Sequence, residues 1–198
     1  MKKVLFAVLL AMLSGQSLAI ETPAHTIIKT IAEDIEIREY PEHVNAVTIV
    51  DGPPAEAGSS AFGRLAGYIF GNNREDKKIA MTAPVFQTAL GNGRQAVAFF
   101  LPGTLAEQPA PIDERVSLES RSMKVAVVTY KGGWSASSYG NHLERLKDTL
   151  AGQSEWRVAG RPIWARYDPP FKPWFMRTNE IMIPVTRVEK QLRRGAVL

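Results

Sequence analysis

The order strand, helix, strand, strand runs through this chain twice, and that repetition restricts the fold more than any other feature. In the first copy, Ile35 and Ile37 alternate with Glu36 and Arg38, the period of a strand. Pro41 interrupts it. Over residues 44–50, Val44, Ala46, Thr48 and Val50 share one face, and Asn45, Val47 and Ile49 share the other. Gly52-Pro53-Pro54 is a stop. Over residues 55–70 the period changes: Ala61, Phe62, Leu65, Tyr68 and Ile69 recur at three and four, which predicts an amphipathic helix capped by Gly71 and Asn72. Residues 79–87 read as a strand that Pro84 makes an edge or a bulge, and residues 95–101 as another, with a turn at Gly91-Asn92-Gly93 between them.

The second copy has strands at 116–119 and 124–130 and a break at Gly132-Gly133. Ser135 then caps a helix with the stripe Tyr139, Leu143, Leu146, Leu150, closed by Gly152. Strands at 157–167 and 180–185 complete it, and residues 27–31 add a strand before the first copy, across the Glu33-Asp34 turn. An apolar helix stripe needs a sheet to cover it. The pattern therefore predicts an α+β fold built from a duplicated β-α-β-β unit. Two such units pair into a curved antiparallel sheet or open β-barrel flanked by two helices, with a groove between the halves as the natural ligand site.

The 198 residues, 45% of them hydrophobic and 22% charged, suit one domain with a real core. Lys2-Lys3, the apolar run 4–13 and Ser17-Leu18-Ala19 read as a signal peptide over residues 1–19, leaving a single domain over 20–198. The run is too short to span a bilayer, so no stable membrane insertion is expected, and the short Lys-Lys start looks bacterial. The expected location is periplasmic or secreted. Without residues 1–19, 22 Lys and Arg stand against 20 Asp and Glu, too even a balance for nucleic acid. Arg187, Lys190, Arg193 and Arg194 form a small basic chain end. Cysteine is absent, which removes disulfides, thiolate metal sites and thiol nucleophiles.

Lys78-Ile79-Ala80-Met81-Thr82-Ala83-Pro84-Val85 resembles the signature K-I-x-M-T-x-P-V of the SOUL/haem-binding-protein family. Further blocks follow in the family's order. Residues 35–40 resemble its opening strand, and 62–73 resemble its helix end. Phe99-Phe100-Leu101-Pro102, Tyr167-Asp168-Pro169-Pro170-Phe171 and Arg177-Thr178-Asn179-Glu180-Ile181 resemble its later blocks. The resemblance covers roughly residues 33–186, and ordered blocks are far more specific than one motif. It implies a distorted antiparallel barrel with two flanking helices. It also implies haem or a related porphyrin as ligand, held for transport, buffering or sequestration.

Methionine can ligate haem iron or pad a porphyrin face, which makes Met81 one candidate, and the histidines are His25, His43 and His142 alone. Some relatives carry a histidine where this chain has Glu39, and His43, four residues on, is the substitute axial-ligand candidate. The apolar lining is expected from Phe62, Leu65, Ile69, Met81 and Val85, with Arg64 and Lys77 or Lys78 for the propionates. Each also has a plain reading: Met81 fills core, Pro84 shapes a bulge, and the cations are solvated. The proline- and aromatic-rich stretch 167–178 is expected to be a stiff lid over the groove or a cover for core. Glu180 is the catalytic candidate under an alternative: a GyrI-like small-molecule-binding domain or hydrolase using Glu180 with Tyr68 or Tyr130. Another flat apolar small molecule is the third ligand class. Binding is preferred over catalysis, because no nucleophile triad, phosphate loop or H-E-x-x-H motif stands out.

Overall fold

The structure, a computed structural model, describes residues 20–188. The expected signal peptide 1–19, and Lys190, Arg193 and Arg194 of the basic end, lie outside the described residues.

Strands β1 (Thr26–Ala32) and β2 (Ile35–Asp51) form a hairpin across Glu33-Asp34. Helix α1 (Pro54–Ile69) follows, then β3 (Val85–Gly91) and β4 (Arg94–Leu101). Strand β5 (Val116–Lys131) opens the second unit, followed by α2 (Ala136–Ala151), the short β6 (Trp156–Val158) and β7 (Ile163–Arg166), and β8 (Thr178–Arg187). The strands pair in the order β2-β4-β3-β7-β8-β5, and β5 returns to β2, closing a six-stranded antiparallel barrel. Each unit supplies three strands: β2, β3 and β4 from one, β5, β7 and β8 from the other. The duplication read from the sequence is thus the symmetry of the barrel.

Both helices ride outside. The α1 stripe Ala57, Ala61, Leu65, Tyr68 and Ile69 packs on Val44, Ala46 and Val50 of β2 and Val97, Phe99 and Leu101 of β4. Leu65 is fully buried there, which stabilises the fold by about 1.5–3 kcal/mol. Leu146 and Leu150 of α2 pack on Ile35, Ile37, Ala126, Val128, Ile181 and Ile183. The Ser135 hydroxyl accepts from the Ser138 amide at 3.1 Å and caps α2 as its sequence predicts.

The structure differs from the pattern reading at Pro41, over residues 116–130, at 79–84 and within 157–167. Strand β2 runs through Pro41 with a register shift between Tyr40 and His43, since a bulge accommodates a residue that has no N–H. Residues 116–130 form one strand, not two, because pairing with β2 holds the polar middle in register. Residues 79–84 are not strand; the Ala83-Pro84 bond is cis and β3 begins at Val85. The strand expected over 157–167 is two pieces, separated at residues 159–162.

Candidate functional site: the barrel lumen

Alternation decides which side chains enter the barrel. Glu36, Arg38 and Tyr40 lie on the opposite face of β2 from Ile35 and Ile37, and after the Pro41 bulge His43, Asn45, Val47 and Ile49 line the lumen. One end is filled. The Arg38 guanidinium donates to Glu180 Oε1 at 2.8 Å, and Thr129 and Tyr167 donate to the same carboxylate at 3.0 and 2.6 Å. Burial works against the Arg38 charge, but Glu180, Tyr40 and Glu36 outweigh it and raise its pKa. Burial, then the Glu180 charge, pushes the Tyr167 phenol up, so it stays a donor.

The other end is a cavity of about 460 Å³, within the range of small-molecule sites. Its walls are apolar: Val47, Phe86, Ala96, Ala98, Met123 and Ile163. Strand β5 pairs with β2 along its length but with β8 only over residues 125–131, so its first half has an unpaired edge. Glu119 and Arg121 stand on that half, and Ala159, Gly160 and Arg161 line the cavity with them.

His43 lies deep in this cavity, 7% exposed, beside Tyr40 and Phe100. Its Nδ1 donates to the Pro41 carbonyl at 2.9 Å. That bond fixes the proton on Nδ1, and the Nε2 lone pair has no partner. Burial holds the ring's pKa below its ordinary 6.5, so the neutral imidazole persists at neutral pH. The neighbouring Asn45 Oδ1 is a second buried acceptor without a donor. Such groups call for a partner from water or a ligand in the cavity.

The other sequence candidates do not gather here. Leu65 and Ile69 are core between α1 and the sheet, because the α1 stripe faces the outside of the barrel. Phe62 is 44% exposed and meets Phe99 edge-on, and Val85 packs partly buried against the same core. Met81 is exposed, so it is neither core filler nor cavity lining. Arg64 is engaged by Thr48 at 2.6 Å and the Ile49 carbonyl. Lys78 is exposed, and Lys77 donates to the Glu107 carbonyl. Of the catalytic alternative, Tyr68 donates to the Pro109 carbonyl and Tyr130 stacks on His142, both on outer faces. The tyrosine on Glu180 is Tyr167, and three donors already occupy that carboxylate. The stretch 167–178 does not roof the cavity; Phe171, Trp174, Phe175 and Met176 project to solvent. The lumen residues missed by motif reading, Asn45, Phe86, Arg121, Arg161 and Ile163, carry a faint mark in the sequence: Asn45 on the second face of an alternating strand.

Among solved structures, the EcmrR C-terminal domain superposes with TM-score 0.59 at 12% identity, covering 78% of this chain and 98% of that one. An uncharacterised conserved protein from Listeria innocua gives 0.56 at 12% identity, covering 77% and 92%. At that identity the likeness shows the fold alone. Heme-binding protein 1 of Mus musculus is 30% identical over 145 residues, 69% of this chain and 76% of that one. Heme-binding protein 1 of Xenopus tropicalis is 28% identical over 160 residues, 73% and 84%. The family model described as SOUL heme-binding protein matches residues 20–184. The chain belongs to the SOUL heme-binding protein family.

Proposed function

We propose that this protein binds haem or a related tetrapyrrole in the barrel lumen and carries, buffers or sequesters it outside the cytoplasm, after removal of residues 1–19. The family and its haem-binding relatives supply the ligand class. The observation that carries the site is the unpartnered His43 Nε2 in an apolar cavity. A neutral imidazole with its proton fixed on the far nitrogen is the form that ligates iron. The apolar walls favour the macrocycle, and Arg121 and Arg161 on the lining suit its carboxylates. When bound, the tetrapyrrole supplies a redox-active or light-absorbing centre. The chain's own part is to exclude water and orient the ring.

The test is a hemin titration of residues 20–198 followed at the Soret band, beside His43→Ala. Saturable one-to-one binding with a sharp, shifted band that the substitution abolishes supports the proposal. Binding that is unchanged in His43→Ala removes His43 as the ligand. Weak, non-saturating binding overturns the haem role.

A further inference from the structure

Between β7 and β8, residues 170–176 turn a run of large apolar side chains outward. Phe171 is 87% exposed, Trp174 64%, Phe175 60% and Met176 50%, with Pro170 and Pro173 exposed among them. Of the four tryptophans in the chain, Trp174 alone is exposed. Single apolar side chains on a surface need no account, but a contiguous run marks a contact. The loop is built to hold its rings out. Pro169, Pro170 and Pro173 stiffen the backbone, and Trp174–Met176 make one 3₁₀ turn. At the base, Asp168 accepts from the Thr178 amide and the Lys172 ammonium. Arg177 donates to the carbonyls of Pro170 and Lys172.

The charges around this cluster are mostly positive. Lys172 and Asp168 cancel each other. Lys131, which pairs with Thr178 across the sheet, and Arg177 bond only to neutral oxygens. Among the described residues neither makes an ion pair. At the same end of the barrel the β1–β2 turn carries Glu33 and Asp34, and Arg145 neutralises Asp34. A projecting cluster needs a matching pocket in a protein partner, whereas a bilayer surface deforms around it. Tryptophan and phenylalanine settle at headgroup depth, and lysine and arginine beside them meet lipid phosphates. We propose that the loop over residues 167–178 docks this protein reversibly on an anionic lipid surface. Phe171, Trp174 and Phe175 enter the interface, and Lys131 and Arg177 meet the headgroups. The contact is peripheral, since no helix among the described residues is long and apolar enough to cross a membrane. The loop joins the barrel at Tyr167 and Thr178, the filled end, while Glu119 and Arg121 mark the cavity at the other end of β5. Docking through the loop therefore leaves the cavity end facing solution.

The test uses residues 20–198, because the apolar run 4–13 would itself bind lipid. Vesicles are phosphatidylcholine alone, or phosphatidylcholine and phosphatidylglycerol at about three to one, and binding is read by sedimentation and by Trp174 emission. The anionic vesicles bind saturably with a blue shift, at least about fivefold tighter than phosphatidylcholine alone, and added salt weakens the binding. Phe171→Ser with Phe175→Ser lowers the affinity about tenfold or more, and Lys131→Gln about fivefold. Both variants keep the native melting temperature and hemin binding. The proposal is overturned by an absent response, by equal affinity for the two vesicles, or by retained affinity in the double variant, which would pass the contact to the basic chain end. A lower melting temperature in the double variant would mean that the rings are packed in the fold, and overturn it as well. So would a dimer by light scattering that the double variant loses, since a second copy would then be the occupant. Loss of hemin binding in that variant would give the loop to the tetrapyrrole and overturn a lipid role.

Discussion

Arg38 and Glu180, 142 residues apart, meet inside the barrel at 2.8 Å, and their bond divides the lumen into a filled polar end and an open apolar one. Both side chains are buried, 10% and 6% exposed. Replacing Glu180 by Gln leaves the Arg38 cation buried with only Glu36 opposite it, and is expected to destabilise the protein by about 3 kcal/mol. Urea unfolding measures it. The double substitution Arg38→Met with Glu180→Leu recovers only part of the loss, since it removes the charge pair but leaves the buried Tyr167 hydroxyl without its acceptor.

The His43 ring is expected to make stability pH-dependent. Burial lowers its pKa and that of His142, so both are neutral in the folded chain while the unfolded chain takes up protons near 6.5. The unfolded state then binds more protons, and stability falls as pH drops below about 6.5 until the folded-state pKa is passed. The lowered Asp34 and Asp168 act only further down, below 3.8. Urea midpoints at pH about 7.5 and about 5.5 show the decline, and His43→Gln makes it shallower without abolishing the His142 share.

Two neighbours on α1 separate core from exposed surface. Leu65→Ala opens a cavity between helix and sheet and is expected to cost about 2–5 kcal/mol. Phe62→Ala removes a half-exposed ring whose edge meets Phe99, at a cost of about 1 kcal/mol. Thermal or urea denaturation checks both. Comparable losses would mean that Phe62 is more enclosed than its exposure indicates.

Ser135→Ala removes the acceptor for the Ser138 amide at the start of α2 and is expected to cost about 1 kcal/mol. Because α2 covers β5 and β8 on the outer face, hemin affinity should stay unchanged while the denaturation midpoint falls.

His43 is legible because few histidines exist and this one lies four residues past Glu39, the position where some relatives carry one. Its unpartnered Nε2 is not legible, since that depends on the Pro41 carbonyl taking Nδ1. Glu180 stood out as a carboxylate entering a strand, yet its partner Arg38 comes from the opening strand of the other unit. Leu65 and Ile69 read equally well as core or ligand lining, because a helix stripe states that it is buried and not against what.

The sequence by itself determined the doubled β-α-β-β unit, both helix stripes, the Ser135 cap and the two faces of residues 44–50. These follow from periods of 2 and 3.6, which are local properties of the backbone. Only the tertiary structure decided that β2 and β5 close the barrel and that the Asn45 face is the lumen. Those outcomes depend on which strands pair across more than seventy residues, as Ile35 does with Val128. No local period encodes such a partner, because pairing is settled by the combined burial of both units at once.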